Sequence, residues 1–394
     1  MKKKFMFQKL PTALLQLRYQ KVRLMVALLG VVFSVVIVFM QYGIRDALYD
    51  SAVRFHQGLQ GDCFLISPRS TALVTMGTFP ERRLLQALAF DEVDLVSPIY
   101  LEQGQWKNPE TRKYWRNIFI FGFDLRHQIF DFPGFRENQA KLKRPDVVLF
   151  DRESRSEFGP IVTMFEQQGT VTTEIESRGS NRRVEVVGLF ELGTSFGSDG
   201  NLITSHINFF RIFGSRPQGF INIGLIQLKP ETNVAKFQQK LKQYLPQDVR
   251  ILSKQELINF EKHYWQSSTA IGFIFTLGVG LGIMVGVVVV YQILYTNVSE
   301  HLAEYATLKA MGYQHSYLLS LIFQQALFIA VLGYIPGFFL SMIAYEFAKD
   351  MTLLPFAMTL NRALLVLIGT ILMCLVSGAS AVKKLQAADP ADIF

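Results

Sequence analysis

The chain has 394 residues, of which half are hydrophobic and 34 are phenylalanine, which argues against an ordinary soluble domain and favours membrane spans. Seven lysine and arginine residues and no acid fall within residues 1–23, so the rest of the chain is nearly neutral despite a net charge of +8. The charge balance therefore gives no support for nucleic acid binding.

Residues 1–23 are predicted to form a cytoplasmic amphipathic helix, because Leu10, Leu14 and Leu17 recur at helical spacing between cations. A disordered basic tail is the alternative. Lys and Arg accumulate on the cytoplasmic side of a first span, so the N-terminus is expected in the cytoplasm, against anionic membrane lipid.

Four uncharged apolar stretches predict transmembrane helices at 24–44, 269–296, 318–345 and 363–382. The third is long enough to tilt or to break around Gly333, Pro336 and Gly337. Four spans return the C-terminus to the cytoplasm. Residues 297–317 and 383–394 are then cytoplasmic, and 346–362 form a periplasmic loop.

The same topology exports residues 45–268 as one domain between the first two spans. Strands are predicted at 146–150, 184–187 and 223–228. Helices are predicted at 81–90, through Leu245 with Thr232 as the N-terminal cap, and at 254–266 after the capping-box pair Ser253 and Glu256. The last of these helices is expected to continue into span two as a lever. The predicted fold is an α-helical membrane protein with four transmembrane helices and a large α+β periplasmic domain between helices 1 and 2.

Motifs for nucleotide or metal chemistry do not occur in the sequence. The P-loop pattern G-x-x-x-x-G-K-[ST] is missing, and the six histidines lack the spacing of a metal site. We therefore expect no cofactor or metal in this chain and no catalysis by it. Any ATP and Mg used by this protein would have to be bound by a partner.

Residues 193–197 match G-x-S-x-G, the pattern of a nucleophile elbow, with Ser195 as the nucleophile. A turn sequence follows where the elbow needs a helix, so a flexible glycine-rich loop is the preferred interpretation. Replacing Ser195 by alanine is expected to leave function intact.

Gly278, Gly282 and Gly286 recur every four residues in the second span and form a ridge that another helix can approach closely. A dimer or gating face is predicted there. Packing against span one of the same chain is the alternative.

The segment 297–317 places charges between two apolar spans, with Glu300, Glu304, a Leu-Lys-Ala run that includes Lys309, and Gly312 in this order. It resembles the coupling helix of MacB/FtsX-type ABC permeases, which seats in a groove of the ATP-binding subunit. His301 departs from the Arg or Lys that is frequent there. The resemblance extends to the layout of the whole chain and, in "FGSDGNLITS" and "EHLAEYATLKAMGY", to the DevC type of permease.

This resemblance implies the membrane subunit of a type VII ABC exporter, in the inner membrane of a cyanobacterium. It implies a homodimer, a DevA-like ATP-binding subunit, a DevB-like membrane-fusion adaptor, a TolC-like outer-membrane duct, and a glycolipid or other amphiphile as cargo. Glu300, His301, Glu304, Lys309 and Gly312 would be the ATPase-coupling residues. The loop between residues 193 and 201 would be a candidate contact for the adaptor, through Gly193, Phe196, Gly197, Asp199 and Asn201. A Lol-type lipoprotein-releasing permease and an FtsX-like regulator of cell-wall hydrolases are the alternatives.

Overall fold

The structure is a computed structural model that describes residues 21–111, 115–300 and 315–386. The chain divides into two compact units. Of the described residues, the helical unit contains 21–46, 270–300, 315–351 and 356–386, and the sheet unit contains 47–111, 115–269 and 352–355.

The elements of the described residues are as follows. The helices are α1 (Lys21–Gln57), α2 (Arg82–Leu85), α3 (Phe135–Asn138), α4 (Ile161–Gln168), α5 (His206–Ile212), α6 (Val234–Tyr244), α7 (Lys254–His263), α8 (Ala270–Glu300), α9 (His315–Thr352) and α10 (Leu360–Gln386). The strands are β1 (Cys63–Ile66), β2 (Phe79–Pro80), β3 (Val93–Lys107), β4 (Trp115–Phe123), β5 (Val147–Asp151), β6 (Val171–Ser177), β7 (Ser180–Phe190), β8 (Asn201–Ser205), β9 (Phe220–Ile221), β10 (Ile223–Leu228) and β11 (Arg250–Ser253).

Nine of these strands form one mixed sheet in the order β11-β1-β10-β3-β4-β8-β5-β7-β6. The neighbours β4 and β8 are parallel, as are β5 and β7. The far end of the long strand β3 also pairs with β6, through Gln105 with Glu176 and Trp106 with Ile175. The sheet therefore curls back on itself from β3 to β6, which covers an edge that would otherwise be open.

Alternating side chains of β4 enter two different hydrophobic cores. Ile118 and Ile120 belong to one, whereas Phe119, Phe121 and Phe123 belong to the other. This is the two-residue period of a strand with both faces covered. The second core is rich in phenylalanine, and we call it the phenylalanine core.

The three strands predicted from sequence are confirmed as β5, part of β7 and β10. The capping box is also confirmed, since Ser253 and Glu256 each bond the other's backbone N–H at the start of α7. The predicted cap of α6 is wrong by one residue: the side chain of Asn233, rather than Thr232, accepts from the N–H of Lys236. The helix expected at 81–90 is the short α2 followed by a 3₁₀ turn at Gln86–Ala89.

Four described helices, α1, α8, α9 and α10, are long and apolar enough to cross a membrane. At about 1.5 Å per residue, the 37 residues of α1 exceed a hydrocarbon layer of about 30 Å, and residues 47–57 belong to the sheet unit. Helix α9 runs without interruption through Pro336, so the break considered there does not occur. Gly333 and Gly337 instead lie against Val31 and Val35 of α1.

The expected continuous helix from the sheet unit into span two is interrupted. Helix α7 ends at His263 and is followed by a π-helical turn, Tyr264–Ser268. Thr269 then has extended backbone, with φ −121° and ψ 155°, before α8 begins. A helix cannot continue through that conformation, so the segment consists of two helices separated by one residue with extended backbone.

Candidate functional site

The predicted ATPase-coupling residues lie almost wholly outside the described part of the chain. Glu300 is the last residue of α8 and is exposed. His301, Glu304, Lys309 and Gly312 are outside the described residues. Their role stays a prediction.

The glycine ridge of α8 faces helices of its own chain. A side chain at Gly278 would overlap Gln41 of α1, and one at Gly286 would overlap Ser34 and Met373. Between them, the Ser34 hydroxyl donates a hydrogen bond of 2.6 Å to the carbonyl of Gly282. This is the packing within one chain that the sequence left as an alternative, and a role of the ridge in a dimer or a gate stays a prediction.

The loop between β7 and β8, which contains the candidate adaptor residues, is built on the buried carboxylate of Asp151. That carboxylate accepts from the N–H groups of Leu192 and Gly193 at 3.1 and 3.0 Å, and from the side chain of Asn201 at 2.8 Å. Burial raises the pKa of Asp151 to about 6, although these hydrogen bonds favour the charged form. Gly193 and Asn201 are therefore structural parts of the loop.

The candidate adaptor residues differ in how accessible they are to solvent. Gly193 has a φ of +89°, and a side chain there would overlap Arg54. Asp199 is paired with Arg116 and Arg155 at 2.6 and 2.7 Å. Phe196 is the exposed member, with 53% of its surface accessible.

Phe196 packs against the π-helical turn that follows α7. Its ring packs edge-on against Trp265, with 5.1 Å between the ring centroids, and Gly197 lies close to Val74. Arg54 of α1 donates to the carbonyl of Leu192 at 3.1 Å. The loop thus contacts both α1 and the segment after α7.

The nucleophile-elbow pattern has no elbow geometry. The backbone of Ser195 pairs with that of Ser198 in a tight turn, and the chain continues into β8 rather than into a helix. The hydroxyl of Ser195 accepts from the N–H of Gly197 at 3.3 Å. Among the described residues, no group of three or more His, Cys, Asp or Glu side chains could hold a metal ion.

Helices α1 and α7 share polar contacts in the sheet unit that the sequence reasoning missed. Lys262 lies 3.6 Å from Asp50 at the surface. Beneath this pair, the Nε2 of His56 lies 3.8 Å from Oε2 of Glu261, with both side chains almost fully buried. The spacing of the residues was a signal that Glu261 is buried. Glu261 lies four residues after the apolar Leu257 of α7 and four residues before Trp265, so it lies on the same face as these two side chains.

Glu261 is anchored by two further hydrogen bonds. Its Oε2 accepts from the N–H of Leu73 at 2.7 Å, and its Oε1 accepts from the indole of Trp265 at 2.9 Å. Burial raises the pKa of Glu261 to about 7 and lowers the pKa of His56 to about 4. Between about pH 4 and pH 7, the pair therefore favours a protonated carboxyl beside a neutral imidazole.

The helical unit has its own polar junction at the start of α10. Arg362 donates to Asp46 of α1 at 2.7 Å, to the hydroxyl of Tyr345 of α9 at 3.2 Å and to the carbonyl of Ala357 at 2.7 Å. Tyr345 in turn donates to the carbonyl of Phe39 at 2.5 Å. One arginine thus joins three membrane helices.

Comparison with known proteins places both halves of the chain in described families. The model of the MacB-like periplasmic core domain matches residues 24–244, which is more than half of the chain, and the model of the FtsX-like permease C-terminal domain matches residues 271–390. No curated protein matches the chain.

Two solved structures are similar to parts of it. The periplasmic region of MacB from Actinobacillus actinomycetemcomitans is 10% identical, with coverage of 50% of this chain and 91% of that chain and a TM-score of 0.35. The extracellular domain of the noncanonic ABC-type transporter YknZ from Gram-positive bacteria is 12% identical, with coverage of 49% and 100% and a TM-score of 0.32. On the evidence of the two family models, the chain belongs to the MacB/FtsX-type family of ABC permeases.

Proposed function

We propose that this chain is the permease subunit of a tripartite ABC exporter, which passes ATP-driven movement from a separate ATPase to its periplasmic domain. The observation that supports this most is that two segments of the sheet unit pack into the same hydrophobic core. Residues 47–57 continue α1, and α7 with its π-helical turn precedes α8. Both segments lead directly to a membrane span.

The core that both segments enter is the phenylalanine core. Phe55 of α1 stacks on Phe121 of β4, with 4.2 Å between ring centroids and 15° between planes, and Leu257 of α7 enters the same core. Because close-packed cores shift as blocks rather than deform, a displacement of either segment would be felt by the sheet. The periplasmic domain is in this way suited to receive movement.

The proposed partners follow from the family and from the chain's own pattern. The permease would act as a homodimer with a DevA-like ATP-binding subunit, a DevB-like adaptor and a TolC-like duct. It would lie in a bacterial inner membrane with both termini in the cytoplasm, and a glycolipid or another amphiphile would be its cargo. Phe196 is the proposed adaptor contact, because it is the exposed aromatic residue of its loop.

Charge reversal in the proposed coupling helix tests this function. Glu304→Lys should abolish export and the stimulation of the partner's ATPase, because it would repel a surface that binds an acid. Export of lipid from cells and ATP hydrolysis by the reconstituted complex are the measurements. The control is Asp94→Lys, an equal charge change at an exposed site on β3 of the sheet unit.

The Asp94→Lys protein should export at the parent rate. Normal export and normal ATPase binding by the Glu304→Lys protein would contradict the proposed function.

A further inference from the structure

His56 is a buried histidine that lacks hydrogen bonds. Its side chain is 0% exposed, and neither ring nitrogen has a hydrogen-bond partner among the described residues. Buried polar groups are nearly always paired, because an unpaired one is unfavourable. The arrangement therefore needs an explanation beyond packing.

A potential partner is already in position. Oε2 of Glu261 accepts one hydrogen bond from Leu73 and, as a carboxyl oxygen, can accept a second. It lies 3.8 Å from Nε2 of His56, about 1 Å beyond the usual length of such a bond. A small relative movement of α1 and α7 would form the bond without breaking either of the bonds that hold Glu261.

We propose that His56 and Glu261 form a latch between α1 and α7 that is open in this structure and closes when the two helices move about 1 Å together. The proposal rests on the proposed function, because it assigns the latch to the two segments through which movement would enter the periplasmic domain. His56 and Glu261 are positioning residues in this scheme. They touch no cargo, and they distinguish two states of the helix pair.

The charges around the latch do not replace this bond. The charged or titratable groups within six residues of His56 on α1 or two residues of Glu261 on α7 include Asp50, Arg54, Lys262 and His263, and Glu153 follows β5. Asp50 pairs with Lys262, and Arg54 pairs with Glu153 at 3.1 Å. His263 is exposed and bonds Ser267.

Trp265 provides a built-in reporter, because its indole donates directly to Glu261. We would titrate the tryptophan emission of the full-length protein in nanodiscs from about pH 5 to 9, the range in which a buried carboxyl of this kind ionises. The parent should show a transition with its midpoint near pH 7, where Glu261 loses its proton. The Glu261→Gln protein should lack the transition, which separates Trp265 from the other two tryptophans.

The His56→Leu variant tests the partnership itself. Leucine removes the N–H donor that the closed latch offers to the ionised carboxyl of Glu261, so the midpoint should rise by about one pH unit. The matched control is His263→Leu, which makes the same change at an exposed histidine of α7 and should leave the midpoint in place. A parent without a transition, or equal midpoints in His56→Leu and His263→Leu, would overturn the latch.

Movement is tested by crosslinking a pair of introduced cysteines, Asp50→Cys and Lys262→Cys, in the complex with its ATPase. The rate of disulfide formation should change at least about threefold on adding ATP, and His56→Leu should remove that change. An unchanged rate in a complex that exports normally would overturn the latch. A complex that neither exports nor hydrolyses ATP would contradict the proposed function instead. The fluorescence titration needs no ATPase, so it tests the latch even in that case.

Discussion

Helix α1 makes two different kinds of contact along its length. In the helical unit it meets its neighbours by close approach of backbones, with Val31 and Val35 against glycines of α9 and Ser34 bonded to the backbone of α8. In the sheet unit it contacts α7 through ionisable groups, Asp50 and His56. Apart from the ion pair of Asp46 with Arg362, the contacts of α1 in the helical unit are thus matters of shape. In the sheet unit, ionisable side chains are added to the packing of Phe55.

The difference shows where this helix can respond to its surroundings. Contacts between glycine and valine depend on distance alone and are insensitive to pH and salt. A buried carboxyl and imidazole change their interaction with each proton that binds or leaves. We therefore expect mutations at these glycine contacts to act through packing, and mutations at the latch to change how stability depends on pH.

The largest effect is expected from filling the glycine ridge. Gly286→Leu would force a side chain into Ser34 and Met373, and overpacking of this kind is unfavourable by about 3 kcal/mol or more. The matched control is Gly280→Leu, since no heavy atom lies within 4 Å of a β-carbon there. Thermal unfolding in detergent should show a large loss for the first variant and little change for the second. Equal losses would show that the contact with α1 and α10 is not what holds the ridge.

A smaller and pH-dependent effect is expected at the latch. Folding raises the pKa of Glu261 from 4.5 to about 7 and lowers that of His56 from 6.5 to about 4. Between pH 4.5 and 6.5 the unfolded pair carries its one proton on histidine and the folded pair carries one on glutamate. Folding then moves a proton without net uptake, so the stability contributed by the pair is level across this range.

Removing either partner should make stability depend on pH, with slopes of opposite sign for the two variants. In His56→Leu, stability is greatest below pH 4.5 and falls by about 3 kcal/mol as the pH rises through the raised pKa of Glu261. In Glu261→Gln, stability is greatest above pH 6.5 and falls by about 3 kcal/mol as the pH drops through the lowered pKa of His56. Melting curves from pH 4 to 8, compared with the parent and the double variant, measure both slopes; slopes of the same sign would refute the assignment.

The smallest effect is expected at Ser195. Its hydroxyl makes one long hydrogen bond within its own turn, so Ser195→Ala should change stability by about 0.5 kcal/mol and leave export unchanged. Asn201→Ala, which removes a donor from the buried carboxylate of Asp151, is the contrasting variant and should destabilise the loop more. Loss of all export by a folded Ser195→Ala protein would restore the nucleophile interpretation.

Patterns that repeat along the chain were readable from sequence, whereas pairings between distant residues were not. Strand β10 is a run of apolar residues between turns, and the capping box of α7 is a local signature, so both were predicted. Glu261 was missed because an acid on a helix is usually solvated, and its buried neighbour His56 lies 205 positions away in the chain. The coupling segment lies mostly outside the described residues and stays a prediction.

The interruption after α7 gives the two connections different mechanical characters. Helix α1 is an uninterrupted rod from Lys21 to Gln57, and a hydrogen-bonded rod carries both thrust and torque. Between α7 and α8, the backbone at Thr269 is instead extended, with φ −121° and ψ 155°. Thr269 is therefore a point at which the second connection can bend or twist, whereas the first has no non-helical residue between Lys21 and Gln57.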